Sequence, residues 1–159
     1  MSIEQFKKDL MELYQGEIVG ELFSEQLLHR FTEPHQQLKI ATILQLETET
    51  KARLRPAMVA LGLPLTTAEV TRVEANGIID VFKSLNDWDE MIGVMCQQLP
   101  LALERYQQIA DNAPEQYREL AVSMVTHEQA LLDFATMEAI GERDKSIAGL
   151  AAQLHFKLQ

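Results

Sequence analysis

Seven glycines and five prolines are the only helix-breaking residues among 159. The long segments between them repeat their apolar residues in steps of three and four. Strict alternation is absent, and no run of β-branched and aromatic residues bounded by turn signals reads as a strand. This pattern predicts an all-α chain. The first helix is expected from Ser2 to Phe31, with Ser2 as N-cap and Gln5 in capping-box position. Thr32-Glu33-Pro34 ends it, because a residue before proline avoids the helical region. A second helix is expected from His35 to Leu61, stopped by Gly62 and kinked or shortened at Pro56. Leu65-Thr66-Thr67 opens a shorter helix to about Leu85, weakened at Gly77. Asn86 or Asp87 caps a helix from Trp88 to Asp111, with a bend at Pro100. Pro114 or Glu115 starts another that runs to Ile140 and stops at Gly141, and Ser146 to Phe156 reads as a short amphipathic tail helix. Four long helices in two antiparallel hairpins, joined by a long helical crossover, make a four-helix bundle. We expect a single domain over residues 1–159.

Charge narrows the function. Lys and Arg number 14 against 24 Asp and Glu, a net charge of −10. Such a surface repels phosphate, which argues against nucleic acid or an anionic membrane as partner. Cys96, the single cysteine, excludes an intrachain disulfide, a cysteine-type zinc site and an iron–sulfur cluster. No apolar run reaches membrane-spanning length, and the charged N-terminal stretch lacks a secretory apolar segment. A cytoplasmic location is therefore expected. No phosphate-binding glycine loop, nucleophile triad or basic aromatic stripe is present.

Three glutamates occupy slots that the helical period assigns to the interior. The first stripe reads Ile3, Phe6, Leu10, Leu13, Glu17, Gly20, Ser24, Leu27 and Phe31. The second reads Ile40, Leu44, Glu47, Thr50 or Lys51, Leu54 and Met58. In the last long helix Glu128 falls between Met124 and Leu131. A carboxylate in such a slot needs a partner or a cation. Hairpin geometry is a second constraint. Glu17 lies 16 residues before Glu33 in the first turn and Glu47 lies 14 after it, a mismatch of only about 3 Å along the axis. Glu128 and Gln98 are likewise level about Ala113. Spacing alone leaves open whether the two layers share a height.

The segments "GEIVGELF", "LQLETETKARL" and "VTHEQALLDF" resemble the ferritin-like superfamily, nearest to its rubrerythrin-type branch, over roughly residues 10 to 140. The resemblance implies a metal site in the bundle core. Glu17 would be the first-helix ligand, and Glu47 and Glu128 the carboxylates of two Glu-x-x-His motifs. The motif histidines are absent, with Thr50 and Leu131 in their places, and Gln98 stands where a glutamate is expected. The expected site is therefore iron or manganese among Glu17, Glu47, Glu128, Gln98 and Thr50, with oxidoreductase chemistry on oxygen or peroxide and no identified substrate. The alternative is a metal-free scaffold that binds a partner or small molecule. In that reading Lys51, at i,i+4 from Glu47, neutralises the core carboxylates. A homo-oligomer, a dimer, is the expected assembly. His29, His35, His127 and His155 are expected at the surface or rim, Glu21 at the surface, Glu138 solvated near its helix end, and Tyr14 and Cys96 in packing roles.

Overall fold

Capping chemistry sets the helix boundaries. In a computed structural model, which describes residues 2–66, Gly77, Asp80 and 87–158, the Ser2 hydroxyl accepts the Gln5 amide at 3.2 Å and starts α1 (Ile3–Arg30). Pro34 occupies the first turn of α2 (Pro34–Ala60), where its missing N–H costs nothing. Asp87 accepts the Glu90 amide at 2.9 Å and caps α3 (Trp88–Asn112). A sharp turn at Ala113 and Pro114 leads into α4 (Glu115–Ala139). Gly62 and Gly141 take positive φ of 70° and 86° just past α2 and α4, the left-handed stop that glycine adopts without strain. The crossover helix expected from Thr67 to Leu85 lies outside the described residues. Among the described residues every regular element is helical.

α2 and α3 run through Pro56 and Pro100; both prolines are exposed, so water can satisfy the carbonyls they leave without a donor. One expectation is corrected. The tail helix is shorter than its pattern, α5 spanning only Ala148–Gln153. Beyond it the chain is held differently. Leu154 is buried, and Glu49 on α2 accepts the amides of His155 and Phe156.

α1 packs on α2 and α3 on α4 as two hairpins. Their apolar side chains form two separate clusters. One, toward the Trp88 end, centres on Leu27, Ile40, Leu46, Met91 and Phe134. The other, toward the opposite end, centres on Phe6, Leu13, Leu54, Ile109 and Met124. Each long helix switches cluster at the same height: between Ile18 and Leu27, Leu46 and Leu54, Met95 and Tyr106, Met124 and Ala130. The two hairpin layers therefore share a level.

Glu138, expected in solvent, is 1% exposed. Lys39 from α2 donates to it at 2.5 Å, Ser146 at 2.5 Å and the Trp88 indole at 2.8 Å. Burial alone would raise its carboxyl, but these donors and the Lys39 charge hold it below the ordinary value. The cluster ties α2, α3, α4 and the turn before α5 together at one end. Replacing Lys39 with Met would leave a buried anion short of its cation, so Lys39→Met should cost about 3–5 kcal/mol in urea unfolding at neutral pH. Adding Glu138→Gln should recover part of that loss. A single-variant cost below about 1 kcal/mol would contradict this reading of the cluster.

Candidate metal centre

The level that separates the two apolar clusters is filled by polar side chains. Glu17 on α1 is 1% exposed, Glu47 on α2 6%, and His127 on α4 1%. One oxygen from each carboxylate and a ring nitrogen lie within 4.8 Å of one another, a grouping able to hold a metal ion. The Nε2 of His127 stands 3.6 Å from Glu17 Oε2 and 3.6 Å from Glu47 Oε2, beyond normal hydrogen-bond reach. Glu17 Oε2 has no hydrogen-bond partner although it is fully buried. On the far side of the ring, Nδ1 lies 3.2 Å from the buried Thr50 hydroxyl. That contact orients the imidazole, as the outer partner of a metal-bound histidine commonly does.

Two glycines of α1 make the layer possible. A Cβ at Gly20 would stand 2.6 Å and 2.7 Å from the two oxygens of Glu47, and one at Gly16 would stand 2.6 Å from the Tyr106 hydroxyl. Glu47 therefore rests against bare α1 backbone. Tyr106, from α3, reaches the same wall of the site.

Electrostatics follow from crowding acids in low dielectric. The Glu17 carboxyl is held well above its ordinary value, first by burial, then by the Glu47 charge and a hydrogen bond with Glu47, then by Glu128; Arg53 opposes the shift. Glu128 is pushed up to about 7 by burial, against the lowering effect of His127, with Glu47 adding to the rise. The Tyr106 phenol stays protonated far beyond neutral pH, through burial and then through Glu17, Glu128, Glu47 and Glu12.

The structure sorts the sequence candidates. Glu17 and Glu47 meet in the triad. Glu128 lies outside it and lines an adjoining cleft of about 630 Å³ between α1 and α3. Gln98 is exposed and also lines that cleft. Thr50 touches His127 rather than the carboxylates. His127, expected at the rim, is the third member of the triad. Lys51 pairs with Glu21, one turn along α1 from Glu17, and not with Glu47. Glu21 also accepts from Thr48 at 2.7 Å, so it is half-buried in the α1–α2 seam and not a surface residue. Tyr14 turns away and donates to the Leu65 carbonyl at 3.1 Å. Cys96 is half-buried against the Trp88-end cluster. No helix among the described residues is long and apolar enough to cross a membrane. No protein-family model, curated protein or solved structure matches the chain.

Gly20→Ala tests the close approach. The methyl group meets the movable end of Glu47, and alanine favours a helix over glycine by about 1 kcal/mol. Stability should therefore hold or rise, while affinity for a divalent ion falls at least about tenfold; unchanged affinity would show that the approach is immaterial. The acids generate a pH prediction. A carboxyl whose folded pKa lies above its unfolded value stabilises most below the unfolded value and loses that contribution as pH rises to the folded value. For Glu128 the window runs from the ordinary 4.5 to about 7 and corresponds to on the order of 3 kcal/mol. With chelator present, unfolding scans should show stability lost across this window, and less of it lost in Glu128→Gln. Added divalent ion should stabilise more at pH 8 than at pH 6. Ion stabilisation independent of pH would contradict the assignment.

Proposed function

We propose that this chain is a ferritin-like metalloprotein that holds one iron or manganese ion among Glu17, Glu47 and His127 and serves oxidoreductase chemistry on oxygen or peroxide. The observation that carries this reading is the spacing of the triad around a carboxylate oxygen that nothing else satisfies. Donors bound at about 2.1 Å stand about 3.0 Å apart in an octahedral set and, at the wider tetrahedral angle, about 3.4 Å apart. The 3.6 Å separations here are too long for hydrogen bonds and close to the second figure. Two carboxylates with one imidazole suit iron and manganese, where the preferences for oxygen and imidazole ligands overlap. Support for the ferritin-like scaffold comes from paired helical hairpins with inward acids at mid-height.

When bound, the ion supplies Lewis acidity and one-electron redox capacity. The chain's own residues set the conditions. An ion on Nε2 of His127 would put the ring proton on Nδ1, where the Thr50 hydroxyl at 3.2 Å can accept it. Glu128, at the cleft wall beside His127, adds a carboxylate that can accept a proton near the ion. Tyr106 keeps its phenol proton and offers a donor beside Gly16. The two apolar clusters close the layer above and below, so solvent reaches the triad only through the cleft.

One observation favours a second reading, a metal-free scaffold. The Glu17 carboxyl, raised by burial and by the Glu47 charge, can keep a proton and share it with Glu47, which neutralises the pair. The Lys51 mechanism does not serve it, because that ammonium is engaged by Glu21.

Elemental analysis separates the two. Protein grown with iron and manganese and purified without chelator should carry about one ion per chain. Glu47→Gln and His127→Gln should lose it, and Thr50→Val should bind about tenfold more weakly. A chain that stays free of metal after soaking in ferrous iron without air would establish the second reading.

A further inference from the structure

The triad uses only the floor of the cleft. The cleft holds about 630 Å³, inside the roughly 300–1,000 Å³ of small-molecule sites, whereas a water occupies about 30 Å³. An ion and its waters would leave most of that space. The walls above the floor are apolar: Val19 from α1, Ile43 from α2, Val94, Met95 and Leu99 from α3, and Leu131 from α4. Glu12 and Gln98, both exposed, bring the cleft to solvent at its rim.

The charged groups on the lining restrict what can enter. Glu12, Glu17, Glu47 and Glu128 line the cleft, and among the described residues no lysine or arginine does. Arg105, the nearest cation to the rim acid, is spent on Glu12 and Asp9 at 2.6 Å and 2.8 Å. An anionic ligand would meet only the ion as a partner, whose two charges Glu17 and Glu47 already match, and would be desolvated beside Glu12 and Glu128. An ammonium would compete with the ion for the same oxygens. An uncharged apolar body pays neither cost and gains from burial along the walls.

Resting on the metal reading, we propose that the cleft binds an uncharged, apolar organic molecule with a hydroxyl or carbonyl oxygen at one end, its apolar body along α1 and α3 and its oxygen toward Glu17, Glu47 and His127. Tyr106 supplies a phenol donor on the same wall.

The test uses full-length protein with methyl-labelled methionines, loaded with zinc as a diamagnetic stand-in, and three probes of one length: 1-hexanol, hexanoate and hexylammonium. Met95 lines the cleft and Met58 belongs to the far cluster, so the first reports and the second is the control. Hexanol should shift the Met95 methyl saturably, and the two charged probes should bind at least about tenfold more weakly. Ala102→Phe, which adds bulk at a half-buried lining position, should abolish the shift and leave the ion content unchanged. In manganese-loaded protein the protons beside the hexanol oxygen should relax faster than those of its methyl end. Ion-loaded protein in which hexanol leaves Met95 unmoved, or in which all three probes bind alike, overturns the ligand class and leaves the metal reading standing. Faster relaxation at the methyl end overturns the orientation. Hexanol binding by protein that takes up no ion supports the ligand class and overturns the metal reading.

Discussion

Three acids and a histidine at one level of a helical bundle impose a cost that the rest of the structure is arranged around. Glu17, Glu47 and Glu128 each enter the interior, and their mutual repulsion adds to the loss of hydration. The bundle meets this by dividing its core. Two apolar clusters close off the ends, and the polar layer lies between them. Gly16 and Gly20 belong to the same arrangement, since side chains there would collide with Tyr106 and Glu47. Without a cation or a shared proton the layer is a destabilising element. With one, it becomes the point at which both hairpins are joined.

The second polar cluster shows the contrast. Glu138 is as buried as Glu17, yet Lys39, Ser146 and Trp88 meet it with a charge and three donors. Its carboxyl sits below the ordinary value, whereas that of Glu17 sits well above. One cluster is complete within the chain and the other is short of positive charge. That difference directs the search for a ligand to the Glu17 level.

Local chemistry made much of the fold legible. Ser2, Pro34, Asp87 and Gly141 each mark a helix end through a specific cap or stop, and the observed boundaries fall within a few residues. Glu17 and Glu47 stood out because each interrupts an apolar stripe, and their distances of 16 and 14 residues from the turn at Glu33 predicted that they would meet. His127 did not stand out. It lies about 100° around α4 from Glu128, and its place in the site comes from the meeting of α1, α2 and α4, which no single helix encodes. Lys51 misled for a related reason: its neighbour on α2 was visible, but Glu21, 30 residues away on α1, was not. Glu138 looked solvated because its partner Lys39 lies 99 residues distant. Partners within a helix can be counted from spacing; partners across helices depend on how the hairpins dock.

The central claim is that a cation completes the Glu17 level. The most direct measurement is anomalous diffraction at the manganese edge from crystals grown with manganese and without chelator. The account predicts a single peak bridging Glu17 Oε2, Glu47 Oε2 and His127 Nε2, with bonds of about 2.1 Å. A triad with no peak at saturating manganese, and a Glu17–Glu47 carboxyl pair closed on a shared proton, would contradict it.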